Sequence, residues 1–162
     1  MPHLFMGLCR WIALLLLAAA LAPPAALAHS HKKKTLEVVH PWTTAMREER
    51  VVNVAVYMKL KNQSRGAERL LSATTPHADK VELIEPKVVE GVKLPTASQA
   101  FTIPARGELL LRPDGPRLLL SGFKKRLSAY DSFELTLVFE KAGRMVIEVM
   151  VEEAEIKEPH KH

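Results

Sequence analysis

Between residues 51 and 61 the chain reads VVNVAVYMKLK, and apolar and polar side chains take turns along it. Val54, Val56, Met58 and Leu60 fall to one side, and Tyr57, Lys59 and Lys61 to the other. Successive side chains of an extended strand point to opposite faces, so a period of two describes a sheet with one face on a core and the other toward water. The pattern returns in Phe133 to Phe139, where Phe133, Leu135, Leu137 and Phe139 point inward and Glu134, Thr136 and Val138 outward. It returns again in MVIEVMV, Met145 to Val151, where Met145 and Met150 have opposite parity, so that one of them faces out.

Shorter extended runs fill the space between. They are Leu36 to Val39, ended by His40-Pro41; Glu68 to Thr75; Val81 to Ile84; Phe101 to Ile103; Glu108 to Leu111; and Arg117 to Leu120. Turn residues punctuate them: a hairpin about Glu90-Gly91, a turn through Ala105, Arg106 and Gly107, and another at Pro113-Asp114-Gly115. Trp42 to Arg50 and Ser128 to Ser132 read as loops. No helical period lasts beyond two turns, so the expectation is an all-β chain folded as an antiparallel β-sandwich.

The N-terminus has a different composition. After Arg10, residues 11 to 22 are wholly apolar, then Pro23-Pro24 interrupt the run and Ala26-Leu27-Ala28 supplies a small-residue cleavage site. Those are the parts of an export signal, predicted to be cut after Ala28. A membrane-spanning helix needs about 20 apolar residues, although Lys32, Lys33 and Lys34 could flank a retained anchor. Cleavage removes Cys9, the single cysteine, so the mature chain has no thiol for a disulfide, a metal or a nucleophile. Cys9 precedes the apolar run instead of following it, which excludes it as a lipid attachment point. The organisation expected is a signal over 1–28, a flexible His/Lys leader over 29–35, one domain over 36–152 and a disordered charged tail over 153–162. The net charge of +5 and pI near 9.4 do not suggest nucleic acid in an exported chain; the basic runs Lys32 to Lys34 and Lys124 to Arg126 read as solvated surface.

Three segments, VELIEP, EGVKLP and LRPDGPRLLLSG, carry a resemblance. They resemble the periplasmic copper chaperones called PCu(A)C, over roughly residues 36 to 152, and the resemblance implies a cupredoxin-like sandwich. The family's Cu(I) ligands follow a pattern of His or Met, ten residues, Met, twenty-one residues, His, one residue, Met. Counted along this chain, those positions are Ile84, Pro95, Arg117 and Leu119. Cu(I) prefers thioether and imidazole donors. Isoleucine, proline and leucine side chains offer no lone pair, and a guanidinium is a cation without an acceptor. The family site is therefore missing from the sequence, and the face is free to pack or to dock something other than copper.

Any copper must then be held by the histidines near the ends, His29, His31, His160 and His162. If the mature chain begins His29-Ser30-His31, a third-position histidine lets the amine, two deprotonated amides and an imidazole enclose Cu(II) in a square plane. A first-position histidine offers a rival, resembling the CopC group, in which the amine and its own imidazole clamp copper with a second histidine, His40 or His77. The resemblance implies copper delivery for cytochrome c oxidase assembly in the periplasm, with an oxidase subunit or another copper chaperone as acceptor. An enzyme is not expected: the sequence has no Gly-rich phosphate loop, no G-x-S-x-G and no H-E-x-x-H. The alternative reading is a non-metal interaction module built on the same scaffold.

Overall fold

The computed structural model describes residues 30–45 and 53–153. Every regular element among them is a strand: β1 (Ser30–Lys33), β2 (Leu36–Thr44), β3 (Asn53–Asn62), β4 (Glu68–Thr74), β5 (Lys80–Val89), β6 (Val92–Ser98), β7 (Phe101–Ile103), β8 (Glu108–Leu111), β9 (Arg117–Ser121), β10 (Ser132–Phe139) and β11 (Gly143–Glu152). Neighbouring strands run in the order β6-β5-β9-β3-β2-β11-β10-β4-β7, with β1 added to β2 and β8 to β3. The leading segment 1–28, His29, Met46 and the tail from residue 154 lie outside the described residues.

Strand β3 joins the two halves of the sandwich. Its first part, Asn53 to Val56, pairs with β9, and its second, Met58 to Lys61, pairs with β8. Its alternation is realised as read: Val54, Val56, Met58 and Leu60 are buried with Phe133, Leu135, Leu137, Phe139 and Met145, while Met150 is only half-buried. All pairings are antiparallel except one, β11 alongside β2, with Met150 opposite Trp42 and Glu152 opposite Thr44.

Two segments differ from the sequence reading. Trp42, Thr43 and Thr44 are not loop but the second half of β2, reached through a bulge between Val39 and Trp42. The bulge turns on His40, which adopts the left-handed region at φ +51°, a conformation that lets an extra residue enter one strand of a pair and the ladder resume beyond it. The second difference is β1. Ser30 to Lys33, read as part of a flexible leader, pairs residue by residue with Val39 to Leu36. Side chains then tie β1 to β11: Lys33 Nζ donates to the Arg144 carbonyl at 2.7 Å, and the Glu148 amide donates to His31 Nε2 at 3.2 Å.

The expected hairpin is present. Val89 and Val92 close it, and Glu90 and Gly91 both have positive φ, +51° and +81°, as a two-residue turn matched to strand twist requires. Its two arms run past the sandwich, leaving Val88, Val89, Val92 and Leu94 exposed, and β6 is an outer edge.

Candidate functional site

The four positions singled out by the copper-ligand spacing lie on adjoining strands. Ile84 on β5 stands opposite Ala97 on β6 and Arg117 on β9; Pro95 on β6 stands opposite Pro86 on β5; Leu119 on β9 stands between Glu82 on β5 and Ala55 on β3. Cross-strand partners share a face and residues two apart on a strand return to it. All four side chains are therefore directed to one side of the β6-β5-β9-β3 sheet.

This face has no copper donors where the spacing calls for them. Ile84 is 7% exposed and packs as an apolar residue. Arg117 and Pro95, with Pro86, Lys93, Pro113 and Asp114, line a cleft of about 210 Å³. The Arg117 Nη1 donates to the Gly115 carbonyl at 3.3 Å. Asp114, the one carboxylate in the cleft, is engaged by Arg112 Nε at 3.2 Å. Among the described residues no carboxylate is ion-paired with Arg117, and no group of three His, Cys, Asp or Glu side chains could hold a metal. A fixed guanidinium repels an approaching cation, so this donor set does not fit copper.

Beside the cleft, Tyr57 on β3 packs against Trp42 on β2 with ring centroids 4.7 Å apart. Burial pushes the Tyr57 phenol above its ordinary value of 10.0, and the positive charge of Arg117 opposes that rise. Arg117 therefore projects its field across the face toward an aromatic pair.

Of the histidines, His31, His40 and His77 are described, and none of them lines this cleft, while His29, His160 and His162 lie outside the described residues. Strands β3 and β2 separate β9 from β1, which carries His31. His77, in the loop between β4 and β5, has its ring 6.3 Å from both Phe123 and Phe133, so it packs on an aromatic cluster. His40 differs from the other two in having a carboxylate partner. Its side chain is half exposed and its Nε2 lies 2.8 Å from Glu152 Oε1 on the last strand. The pair is 112 positions apart in sequence, and only the His-Pro dipeptide hinted at an unusual backbone there.

These features define a cupredoxin-like sandwich of the PCuAC type whose ligand face has been rebuilt without donors. The chain belongs to the family described as "LpqE-like: Putative lipoprotein LpqE-like", whose model matches residues 36–151. Among curated proteins it is 29% identical over 100 residues to the putative lipoprotein Lxx21020 of Leifsonia xyli subsp. xyli (strain CTCB07), covering 61% of this chain and 60% of that protein, so it spans less than two thirds of that relative. Among solved structures it resembles the apo PCuAC domain from PmoF1, with 25% identity, a TM-score of 0.67 and coverage of 78% of this chain and 100% of that one. The copper-bound PCuAC domain from PmoF2 aligns at 24% identity and TM-score 0.66 over 78% of this chain and 99% of that one. The solution structure of CuI-DR1885 from Deinococcus radiodurans aligns at 26% identity and TM-score 0.59, over 78% and 83% of the two chains. The resemblance to PCu(A)C chaperones read from the sequence holds.

Proposed function

We propose that the protein is an extracytoplasmic copper-handling protein of the chaperone kind, which holds an ion reversibly and passes it on by ligand exchange without catalysing a reaction. The observation that carries this reading is the likeness, over 78% of the chain, to a Cu(I)-carrying domain. An export signal over residues 1–28 and relatives named as lipoproteins support the compartment. Because the family face lacks donors, the ion is held by imidazole and amine nitrogens at the chain ends, drawn from His29, His31, His160 and His162. Nitrogen donors favour Cu(II) over the Cu(I) that thioethers select. The acceptor is a metalloprotein such as an oxidase subunit, or another copper chaperone, and the finer reading is delivery for cytochrome c oxidase assembly.

A second reading rests on Arg117. A cation without a carboxylate partner among the described residues, set in a proline-lined cleft, suits a non-metal interaction module that docks an acidic group of a partner. One measurement separates the two. The exported protein is purified without a His tag, its first residue identified by mass spectrometry and its metal content measured. One copper per chain beginning at His29 supports copper handling; only trace metal in a chain with that terminus sinks it in favour of the docking module.

A further inference from the structure

We propose that one end of the sandwich, built from four of its turns, is a cationic surface that docks on an anionic phospholipid bilayer, a role separate from the handling of copper. The turns join β1 to β2, β3 to β4, β7 to β8 and β10 to β11. Hydrogen bonds lace them together. The Gln63 amide donates to the Thr35 carbonyl at 2.8 Å and the Arg106 amide to the Ser64 carbonyl at 3.0 Å. Asn62, 3% exposed, donates from Nδ2 to the carbonyls of Gly66 at 2.8 Å and Pro104 at 3.1 Å. Lys141 Nζ donates to the Ala67 carbonyl, and Lys33 Nζ, bonded to the Arg144 carbonyl, ties the first turn to the last.

Segments far apart in the sequence thereby bring Lys34, Arg65, Arg106, Lys141 and Arg144 to one end, every one of them exposed. The carboxylates nearby are engaged elsewhere. Glu140 pairs with Arg69 at 3.3 Å and Glu108 with Lys59 at 3.7 Å, Glu68 is buried on three backbone amides, and Glu37 stands opposite Lys61. Among the described residues none of the five cations has an ion-pair partner.

Gathering like charges costs the fold stability through their repulsion. The backbone adds to that cost: Lys34 and Arg106 adopt the left-handed region at φ +55° and +50°, where glycine or asparagine is the ordinary occupant. Turn tips strained to present a cation point to a partner for that cation. The chemistry of the partner follows from what the turns lack. None of the exposed large apolar side chains lies in them, so the surface has no buried anchor of the kind that carries protein–protein affinity. They contain no aromatic ring on which a nucleic-acid base could stack. Cations on long stems, free of apolar contacts, suit a lattice of lipid phosphates, to which each Lys or Arg adds its own increment of binding.

The experiment sediments the untagged exported protein with vesicles of phosphatidylcholine, alone or mixed with phosphatidylglycerol, over a salt series, and measures its binding to polyglutamate and to a DNA duplex alongside. Binding should require phosphatidylglycerol and fall steeply with salt. Lys34→Asn and Arg106→Asn keep a residue that tolerates the left-handed backbone. Each should weaken partitioning about fivefold and the pair about 25-fold, with an unchanged circular dichroism spectrum. Lys125→Gln, in the loop between β9 and β10 away from the four turns, should leave partitioning as it was. An equal loss in Lys125→Gln would mean that net charge alone binds, and no binding by the parent would leave the surface without this partner. Tighter binding of polyglutamate or of DNA than of vesicles would reassign the surface to an acidic protein or a nucleic acid. Any of these results overturns the proposal.

Discussion

Ile84 and Arg117 stand directly opposite each other across the β5–β9 pair. A buried aliphatic side chain and a guanidinium thus occupy adjoining sites on the face where the PCu(A)C pattern places copper ligands. The positive charge that a bound ion would bring is here part of the chain, and it cannot be passed on. Burial of Ile84 fixes the local packing, and Arg117 fixes the local field.

If the face keeps the geometry of the pattern and lacks only donors, restoring them should restore binding. The parent chain should bind no Cu(I) between β5, β6 and β9. The variant carrying Ile84→His, Pro95→Met, Arg117→His and Leu119→Met should take up one Cu(I), measured by competition with a chromophoric Cu(I) chelator. An unresponsive but folded variant would show that the four positions do not converge on a common point.

Tyr57 makes the fold sensitive to alkali. Burial holds its proton more tightly in the folded state than in the unfolded one, where the group titrates near 10.0. The unfolded chain therefore loses that proton first as pH rises. The stabilisation is complete below pH 10 and is lost as pH climbs through the higher folded value. Urea unfolding across alkaline pH should show a steeper fall for the parent than for Tyr57→Phe. Arg117→Ala, by removing the opposing charge, should move the Tyr57 titration higher still; a shift downward would contradict the assignment of that charge.

Glu68 is 5% exposed, yet it is a carboxylate. Its Oε1 accepts from the amides of Arg69 at 2.9 Å and Lys141 at 3.0 Å, and its Oε2 from the amide of Ala142 at 2.9 Å. It thereby holds the β10–β11 turn against β4. Bonds to a charged group are worth about 1.5–3 kcal/mol each, and buried donors left without acceptors add their own penalty. Glu68→Ala should cost about 3 kcal/mol by denaturant unfolding, and a loss under about 1 kcal/mol would mean that water replaces the carboxylate.

Gly122 has φ +67° and lies against Asp79, whose carboxylate a Cβ at that position would strike. Asp79 also pairs with Lys124 Nζ at 2.8 Å. Both the backbone conformation and the contact oppose a side chain, so Gly122→Ala should cost about 2 kcal/mol. Combining it with Asp79→Ala should recover the steric part and leave the backbone part, which a double-mutant cycle separates; a purely additive cycle would rule out the collision.

The sandwich was legible because its core strands alternate strictly: the four inward residues of β3 and of β10 are those the pattern selected. That Ile84, Pro95, Arg117 and Leu119 fall on one face of adjoining strands was foreshadowed by the ligand spacing of the family the sequence resembles. Strand β1 was not, since Ser30-His31-Lys32-Lys33 contains no apolar residue and is held by backbone pairing and by side chains reaching β11. The second half of β2 was hidden by Pro41, because a proline reads as a stop unless the residue before it is known to adopt the left-handed region. Glu68 looks like surface in a sequence, as its partners are amides that carry no residue identity. His40 and Glu152 meet only through the parallel β2–β11 pairing, which no local pattern announces.

The facing prolines of the β5–β6 ribbon, Pro86 and Pro95, have a consequence for how copies of the chain meet. Two residues without N–H groups can oppose each other only where their backbone nitrogens point away from one another, so Pro95 is missing its donor on the open rim. An incoming strand would find that rim interrupted, with Lys93 charged beside the gap. The ribbon thus has bare valines on its surface but an interrupted rim for backbone pairing, and the interruption is made by the residue at one of the four ligand-spaced positions.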